Sequence, residues 1–204
     1  EQIDDWVLDK SLSNDTVKVY YNANTNQASV IHRGTSGAKD WLNNAMYAIG
    51  QYNKTNRYKT AKEIQKKAEQ KYGASNISTL GHSQGAILSR KLGKNTKEII
   101  NVNPAFKGEK VLDNEYNIRS SSDVVSGLKG LTKDDKLIKI KSDNPLNILN
   151  EHSTNILDRL DQDKMIGGIV ITDGLKAYEL KDVMKQYLTA FPSEKIKGWY
   201  KMNR

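Results

Sequence analysis

One serine of this chain, in a pattern with two glycines, has the sequence surroundings most typical of a catalytic residue. The run from Ser78 to Ala86 reads Ser-Thr-Leu-Gly-His-Ser-Gln-Gly-Ala and contains a Gly-x-Ser-x-Gly pattern centred on Ser83. Residues typical of a strand precede the pattern and helix formers follow it, which predicts a nucleophile elbow, a strained turn that exposes the serine hydroxyl. We expect glycine at positions 81 and 85 because strand and helix approach too closely there for a Cβ atom. Ser83 is therefore the candidate nucleophile.

A serine hydroxyl needs a neighbouring base to remove its proton, and that base is usually an imidazole oriented by a carboxylate. The chain contains three histidines. His82 lies inside the elbow, where its side chain is expected to face away from the nucleophile, and His32 lies on a predicted strand. Each of these two is expected to make a local hydrogen bond instead. By elimination, His152 is the candidate base.

The candidate acid is Asp123, which follows the end of a predicted strand at 116–119. Functional loops of α/β sheets gather at the carboxyl ends of the strands. Asp123 also lies between Ser83 and His152, as the order of an α/β-hydrolase triad requires. An aspartate in a loop often only forms a turn or a cap. The competing acids are Asp113, Asp134, Asp135 and Asp143.

The elements that must position these residues follow from the hydrophobic periodicity. Strands are predicted at 16–21, 27–32, 76–80, 98–102, 116–119 and 136–140, and helices at 39–48, 58–72 and 86–92. The first two strands flank a cluster of turn residues and form a hairpin. Strands and helices alternate after it, so we predict an α/β-hydrolase fold with a mainly parallel central sheet that begins with the antiparallel hairpin.

The pattern predicts two parts, a hydrolase domain at residues 1–162 and a short helical C-terminal extension at 163–204. All the candidate catalytic residues precede the extension, so removal of residues 173–204 is expected to spare activity. The extension carries a helical apolar stripe of Leu180, Val183, Met184, Tyr187, Leu188 and Phe191. Residues 175–188 are similar to the start of a SAP-type nucleic-acid-binding helix, but such a stripe more often packs on a core, here or in a partner. We therefore do not expect nucleic acid as a partner.

Composition excludes several kinds of chemistry. The chain has no cysteine, hence no disulfide, thiolate metal site or cysteine nucleophile, and its few histidines leave little for a metal. We expect no metal and no cofactor. No apolar run is long enough to span a membrane and the first five residues lack the basic start of a signal peptide, so a soluble chain is expected. Neither its compartment nor its oligomeric state follows from the sequence.

The net charge of +8 predicts attraction to anionic surfaces. This leaves an alternative function of a different class, in which a hydrolase-like basic module binds nucleic acid or an anionic membrane. The candidate triad of Ser83, Asp123 and His152 argues against this alternative.

Several motifs occur in one order along the chain. They are His32-Arg33-Gly34-Thr35, Asp40-Trp41-Leu42, Gly81-His82-Ser83-Gln84-Gly85, Asn103-Pro104, Asp123-Val124-Val125 and His152. Over about residues 16–160 this set resembles the fungal-type class 3 lipase family of α/β-hydrolases. The resemblance implies that Thr35 and Gln84 form the oxyanion hole, which agrees with the need for two preorganised donors near the developing alkoxide.

The resemblance also implies a lipase or esterase that cleaves triacylglycerol or phospholipid esters through an acyl-enzyme. The chain departs from the family at Asn44, where members often carry an aspartate that supports the oxyanion threonine. The segment 36–48 is the one stretch that could serve as a short lid, although its apolar residues favour core contacts.

Overall fold

The computed structural model describes residues 2–3, 5–34, 54–102, 111–120, 137–140, 186 and 189–191. The predicted helix and short lid within 36–48 lie outside these residues, as does most of the predicted extension.

The described strands form a single sheet in which neighbours in sequence are neighbours in space. Its eight strands are β1 Gln2–Ile3, β2 Trp6–Leu8, β3 Val17–Asn22, β4 Gln27–His32, β5 Ile77–His82, β6 Glu98–Val102, β7 Glu115–Ser120 and β8 Leu137–Ile140. Pairing is antiparallel from β1 to β4 and parallel from β4 to β8. The predicted hairpin is confirmed as β3 and β4, and the protein has a mixed α/β fold.

Strands β1 and β2 were not predicted from the sequence. They contain two and three residues, which is too short for an alternating pattern to be recognised. They extend the antiparallel part of the sheet beyond the hairpin, because β2 pairs with β3 on the side away from β4.

Two α-helices are described, and both follow the predicted pattern. Helix α1 spans Asn56–Tyr72 and helix α2 spans Gly85–Leu92. The hydroxyl of Thr55 caps α1 by accepting a hydrogen bond from the Tyr58 N–H at 3.2 Å. Gly73, at φ 83°, ends α1 in a conformation that a side chain would disfavour.

The main hydrophobic core lies between one face of the sheet and the two helices. It contains Val17, Val19, Ala28, Val30, Ala61, Ala68, Ile77, Ile87 and Leu88. Burying the apolar faces of α1 and α2 against the sheet supplies the favourable free energy that positions the helices, because apolar surface removed from water stabilises the fold. The position of α2 matters most for function, since the Gly-x-Ser-x-Gly turn joins α2 to β5.

A few residues of the predicted extension are described. Gln186 and Ala190 are helical and buried, and Phe191 is 3 % exposed. The guanidinium of Arg33 lies over the Phe191 ring, 5.9 Å from its centroid. Phe191 therefore packs beside the segment that follows β4. The boundary between the predicted hydrolase domain and the extension, at residues 162 and 163, stays a prediction.

Within the described part of the chain, neither helix combines the length and the apolar character needed to cross a lipid bilayer.

Candidate active site

The turn between β5 and α2 has the geometry of a nucleophile elbow. Strand β5 ends at His82, α2 begins at Gly85, and Ser83 between them has φ 55°. A non-glycine residue rarely adopts a positive φ, and such strained residues cluster at functional sites. The predicted strained strand-turn-helix at Ser83 is confirmed.

The two glycines of the pattern are required by close approach. A Cβ on Gly81 would lie 2.5 Å from the backbone oxygen of Gly85 and 2.6 Å from the Ser89 hydroxyl. A Cβ on Gly85 would collide with the backbone carbonyl oxygens of His32 and Arg33. Gly81 thus lets α2 approach β5, as the sequence predicted, whereas Gly85 lets α2 touch the end of β4 and the residue after it.

Ser83 differs from the expected elbow in its accessibility. The residue is only 4 % exposed, whereas the sequence pattern predicted an exposed hydroxyl.

Gln84 lies at the N-terminus of α2, next to the serine. Its backbone has φ −65° and ψ −32°, and its side chain does not cap the helix. The N-terminal N–H groups of a helix favour negative charge, since they point outward and carry the positive end of the helix dipole. The position of Gln84 suits the donor role that the resemblance gave it.

Arg57, in the first turn of α1, contacts both sides of the site. Its Nη1 donates a hydrogen bond to Oε1 of Gln84 at 3.1 Å, and its Nη2 donates to the backbone carbonyl oxygen of Arg33. This residue was not predicted from the sequence. An arginine near the start of an amphipathic helix is usually a solvated surface residue, so no sequence signal distinguished it.

His32 is buried and makes the local hydrogen bond that was predicted. Its Nε2 lies 3.0 Å from Oε1 of Gln65, so Nε2 carries the proton, and Nε2 of Gln65 donates in turn to the Thr79 hydroxyl at 3.1 Å. Burial, reinforced by the positive charge of Arg57, lowers the pKa of His32 to about 4 despite the bond to Gln65. His32 is neutral at pH 7 and held within the fold. His82 is also buried.

A second buried polar network lies under α2 and was not predicted. The Ser89 hydroxyl donates to Oδ1 of Asn101 at 2.5 Å, and Nδ2 of Asn101 donates to Oε1 of Glu115 at 3.2 Å. Arg90 pairs with the fully buried Glu115, with Nε and Oε2 3.3 Å apart. These contacts join α2 to β6 and β7, so the elbow helix is tied to the strand that precedes Asp123 in sequence.

Three of the five predicted site residues, Thr35, Asp123 and His152, lie outside the described residues. Their positions relative to Ser83 stay predictions, whereas Ser83 and Gln84 are adjacent at the elbow. Gly34, the residue before Thr35, is described and buried, directly after the carboxyl end of β4.

The sheet topology separates one competing acid from the others. Asp113 is exposed and precedes β7, at the amino end of the strand. Ser83 follows the carboxyl end of β5, and β5, β6 and β7 are parallel. Asp113 therefore lies at the amino ends of the parallel strands, whereas Ser83 lies at their carboxyl ends. Asp134, Asp135 and Asp143 lie outside the described residues.

Among the residues whose positions are described, no group of three or more histidine, aspartate or glutamate side chains could hold a metal ion.

The fold and the elbow define a mixed α/β protein similar to a lipase. The crystal structure of the Lip2 lipase from Yarrowia lipolytica matches with a TM-score of 0.50 and 15 % sequence identity, over 68 % of this chain and 66 % of that lipase. The chain thus spans slightly less than two thirds of the lipase, and the match shows a likeness of fold.

By sequence, the chain belongs to the family described as "Domain of unknown function (DUF6792)", whose pattern matches residues 9–119, more than half of the chain. No curated protein sequence matches it. The matched region includes the elbow, Arg57 and all of β3 to β6, and it ends within β7 before Asp123.

Proposed function

We propose that this protein is a serine hydrolase of the α/β-hydrolase type, similar to class 3 lipases, that cleaves carboxylic esters of lipids. The observation that carries the proposal is Ser83 at φ 55° between β5 and α2, with the backbone N–H of Gln84 beside it at the helix N-terminus. A strained serine at this junction is the arrangement in which a hydrolase presents its nucleophile. The fold likeness to a lipase supports the same class.

In the proposed reaction, the Ser83 oxygen attacks the ester carbonyl carbon while His152 accepts the serine proton. Asp123 orients His152 and stabilises the imidazolium that forms. The negative charge on the carbonyl oxygen is stabilised by N–H donors of Gln84 and Thr35, and a donor acts most strongly where charge develops in the transition state. His152 then protonates the leaving alcohol, and water clears the acyl-enzyme by the same route.

The state of His32 supports the choice of base among the histidines. Its Nε2 is engaged by Gln65 within a fully buried environment, and burial holds its pKa at about 4. An effective general base has a pKa near the working pH and a ring nitrogen within reach of the proton it takes. With a pKa of about 4, His32 does not meet the first requirement, so the proposal assigns the base to His152.

Lipid esters, either triacylglycerol or phospholipid, are proposed as substrates from the resemblance of the motifs and the fold likeness to Lip2 lipase. The buried position of Ser83 is compatible with an apolar acyl chain, which gains free energy on leaving water for a covered site. Profiling turnover of chromogenic esters by acyl length tests this part separately.

The decisive experiment compares the parent with Ser83→Ala. The parent is expected to hydrolyse a chromogenic ester and to be labelled at residue 83 by a serine-directed phosphonate, whereas Ser83→Ala loses nearly all turnover and the label. Ser78→Ala is the matched control, because Ser78 lies on β5, the strand that leads into the elbow, and its hydroxyl donates a hydrogen bond to Glu98. Equal turnover by the parent and Ser83→Ala would refute the proposed function.

A further inference from the structure

One arginine bridges the two segments that carry the proposed oxyanion donors. We propose that Arg57 is the positioning residue of the oxyanion hole, holding Gln84 and the segment of Arg33 and Gly34 at one fixed separation. The inference rests on the proposed function and adds to it a residue that neither the triad nor the oxyanion pair includes.

The two terminal nitrogen atoms of the Arg57 guanidinium form the bridge. Nη1 binds the side-chain oxygen of Gln84 at 3.1 Å, and Nη2 binds the backbone carbonyl of Arg33. The guanidinium group is planar, so its covalent geometry fixes the distance between the two donors. Arg57 therefore constrains how far apart the two bound segments lie.

Each group that Arg57 binds is close in sequence to a proposed oxyanion donor. Gln84 supplies one N–H from its own backbone, so anchoring its side chain limits rotation of that residue. Arg33 precedes Thr35, the other proposed donor, by two positions, and Gly34 between them is buried. Because oxyanion donors must meet one oxygen at about 2.7–3.1 Å, a small change in their separation weakens both contacts.

Two further observations place Arg57 at the same junction. Gly85 packs against the carbonyls of His32 and Arg33, so the segment after β4 and the start of α2 are already in contact where the guanidinium joins them. The charge of Arg57 also contributes to lowering the pKa of the buried His32. Its positive charge lies close to the elbow, where an alkoxide would develop.

A purely structural role and a positioning role of Arg57 predict different effects of its substitution on stability, kcat and KM. Loss of a general structural contact lowers the stability of α1 without a selective effect on catalysis. Loss of oxyanion positioning lowers kcat and leaves KM nearly unchanged, since the donors act on charge that exists mainly in the transition state. The split between kcat and KM is therefore the informative measurement.

The test uses Arg57→Met, which removes both donors, and Arg57→Lys, which keeps the charge but not the planar fork. Lys94→Met is the matched control, because Lys94 is exposed just after the C-terminal end of α2 and the substitution removes the same charge. With a soluble chromogenic ester, Arg57→Met is expected to lose about 10- to 100-fold in kcat, the range for a displaced catalytic group. Arg57→Lys is expected to recover only part of this loss, and Lys94→Met to match the parent.

Coupling to Gln84 provides a second measurement. Gln84→Ala removes the acceptor of Arg57 and keeps the backbone N–H, so its kcat loss and that of Arg57→Met should not add. The double variant should be about as slow as the slower single variant. Gln84→Ala also stands in for Arg57→Met if that variant fails to fold, with denaturant midpoints measured for every protein.

The outcomes separate the inference from the function on which it rests. If the parent turns over ester and Ser83 takes the phosphonate label, but Arg57→Met retains the parental kcat, the positioning role is refuted and the hydrolase stands. Additive losses, or a loss that Lys94→Met shares, refute it equally. A parent that neither turns over ester nor takes the label refutes the hydrolase, and the positioning role with it.

Discussion

Gly85 lies so close to Arg33 that a Cβ on the glycine would stand 2.6 Å from the arginine's backbone carbonyl oxygen. This contact joins the elbow helix to the segment that leads to Thr35. The obstructing atoms belong to backbone, which cannot rotate away as a side chain can.

Gly85→Ala is therefore expected to be strongly destabilising, by roughly 3 kcal/mol or more, because α2 or the segment after β4 must move. Gly73→Ala is the comparison, since that glycine has φ 83° and its Cβ would meet only the Asn76 side chain. There the expected cost is about 1 kcal/mol of backbone strain. The measurement is the denaturant midpoint, and equal midpoints for the two variants would contradict the close contact at Gly85.

The acid of the triad can be assigned by three matched substitutions. Asp123→Asn is expected to lower kcat by about 10⁴, because an amide holds the imidazole in the wrong tautomer. Asp113→Asn is expected to have no effect, since Asp113 is exposed at the amino end of β7, away from Ser83. Should Asp143→Asn abolish turnover while Asp123→Asn does not, the acid is Asp143 and the hydrolase proposal survives.

The buried His32 is expected to make stability fall in mild acid. Its pKa is 6.5 ordinarily and about 4 in the fold, so between these values the unfolded chain binds a proton that the folded chain does not. The free energy of unfolding therefore decreases as pH falls through this window, by about 3 kcal/mol in all. Urea midpoints between pH 7 and pH 4.5 should show a smaller decrease for His32→Gln than for the parent. An identical decrease in both would argue against a neutral, buried His32.

A carboxylate at the C-terminal end of α1 titrates in a lower window. Oδ2 of Asp9 accepts hydrogen bonds from Lys71 at 2.7 Å and from the Tyr72 hydroxyl at 2.6 Å, and Oδ1 accepts from Ser11. Burial by itself would raise the pKa of Asp9, but these bonds outweigh it and lower the pKa to about 2. The stability they supply is present above pH 3.8 and is lost as pH falls towards 2.

Asp9→Asn is therefore expected to cost about 1–2 kcal/mol at pH 7 and to remove that acid-dependent step, since half of the Lys71 side chain is exposed and screened. Glu63→Gln is the control, because Glu63 pairs with Lys67 on the open surface of α1. Thermal or urea unfolding at pH 7 should leave Glu63→Gln near the parent. A similar loss in both variants would show that Asp9 acts as an ordinary surface charge.

The outward face of α1 is expected to bind anionic lipid surfaces. Exposed lysines on this face include Lys59, Lys62, Lys66 and Lys67. Vesicles of anionic phospholipid should retain the protein at low salt and release it as salt rises, because screening acts over about 8 Å at physiological strength. Neutral vesicles serve as the reference, and equal partitioning to both would refute the expectation.

Two triple variants of equal charge locate the surface. One carries Lys59→Gln, Lys62→Gln and Lys66→Gln, and the other carries Lys10→Gln, Lys94→Gln and Lys97→Gln. All six lysines are exposed. Only the first variant should lose most of its retention. Equal losses in both would indicate that net charge, rather than α1, governs binding.

Local pattern determined most of the described elements. The run Glu98–Val102 is a strand with the predicted bounds, and α1 ends at Gly73 as predicted. The Gly-x-Ser-x-Gly spacing likewise predicted the turn at Ser83. Such features depend on residues near one another in sequence, through side-chain alternation, helical periodicity and the φ values that each residue tolerates.

Tertiary structure decided what those elements touch. Nothing near Arg57 in the sequence indicates that it bonds to Gln84 and Arg33, and nothing near Glu115 indicates its burial beside Arg90. These partners lie on separate segments, brought together only after β4, β5 and the helices have packed. A buried polar group must find a hydrogen-bond partner wherever the fold supplies one, and that partner is set by three-dimensional packing rather than by spacing along the chain.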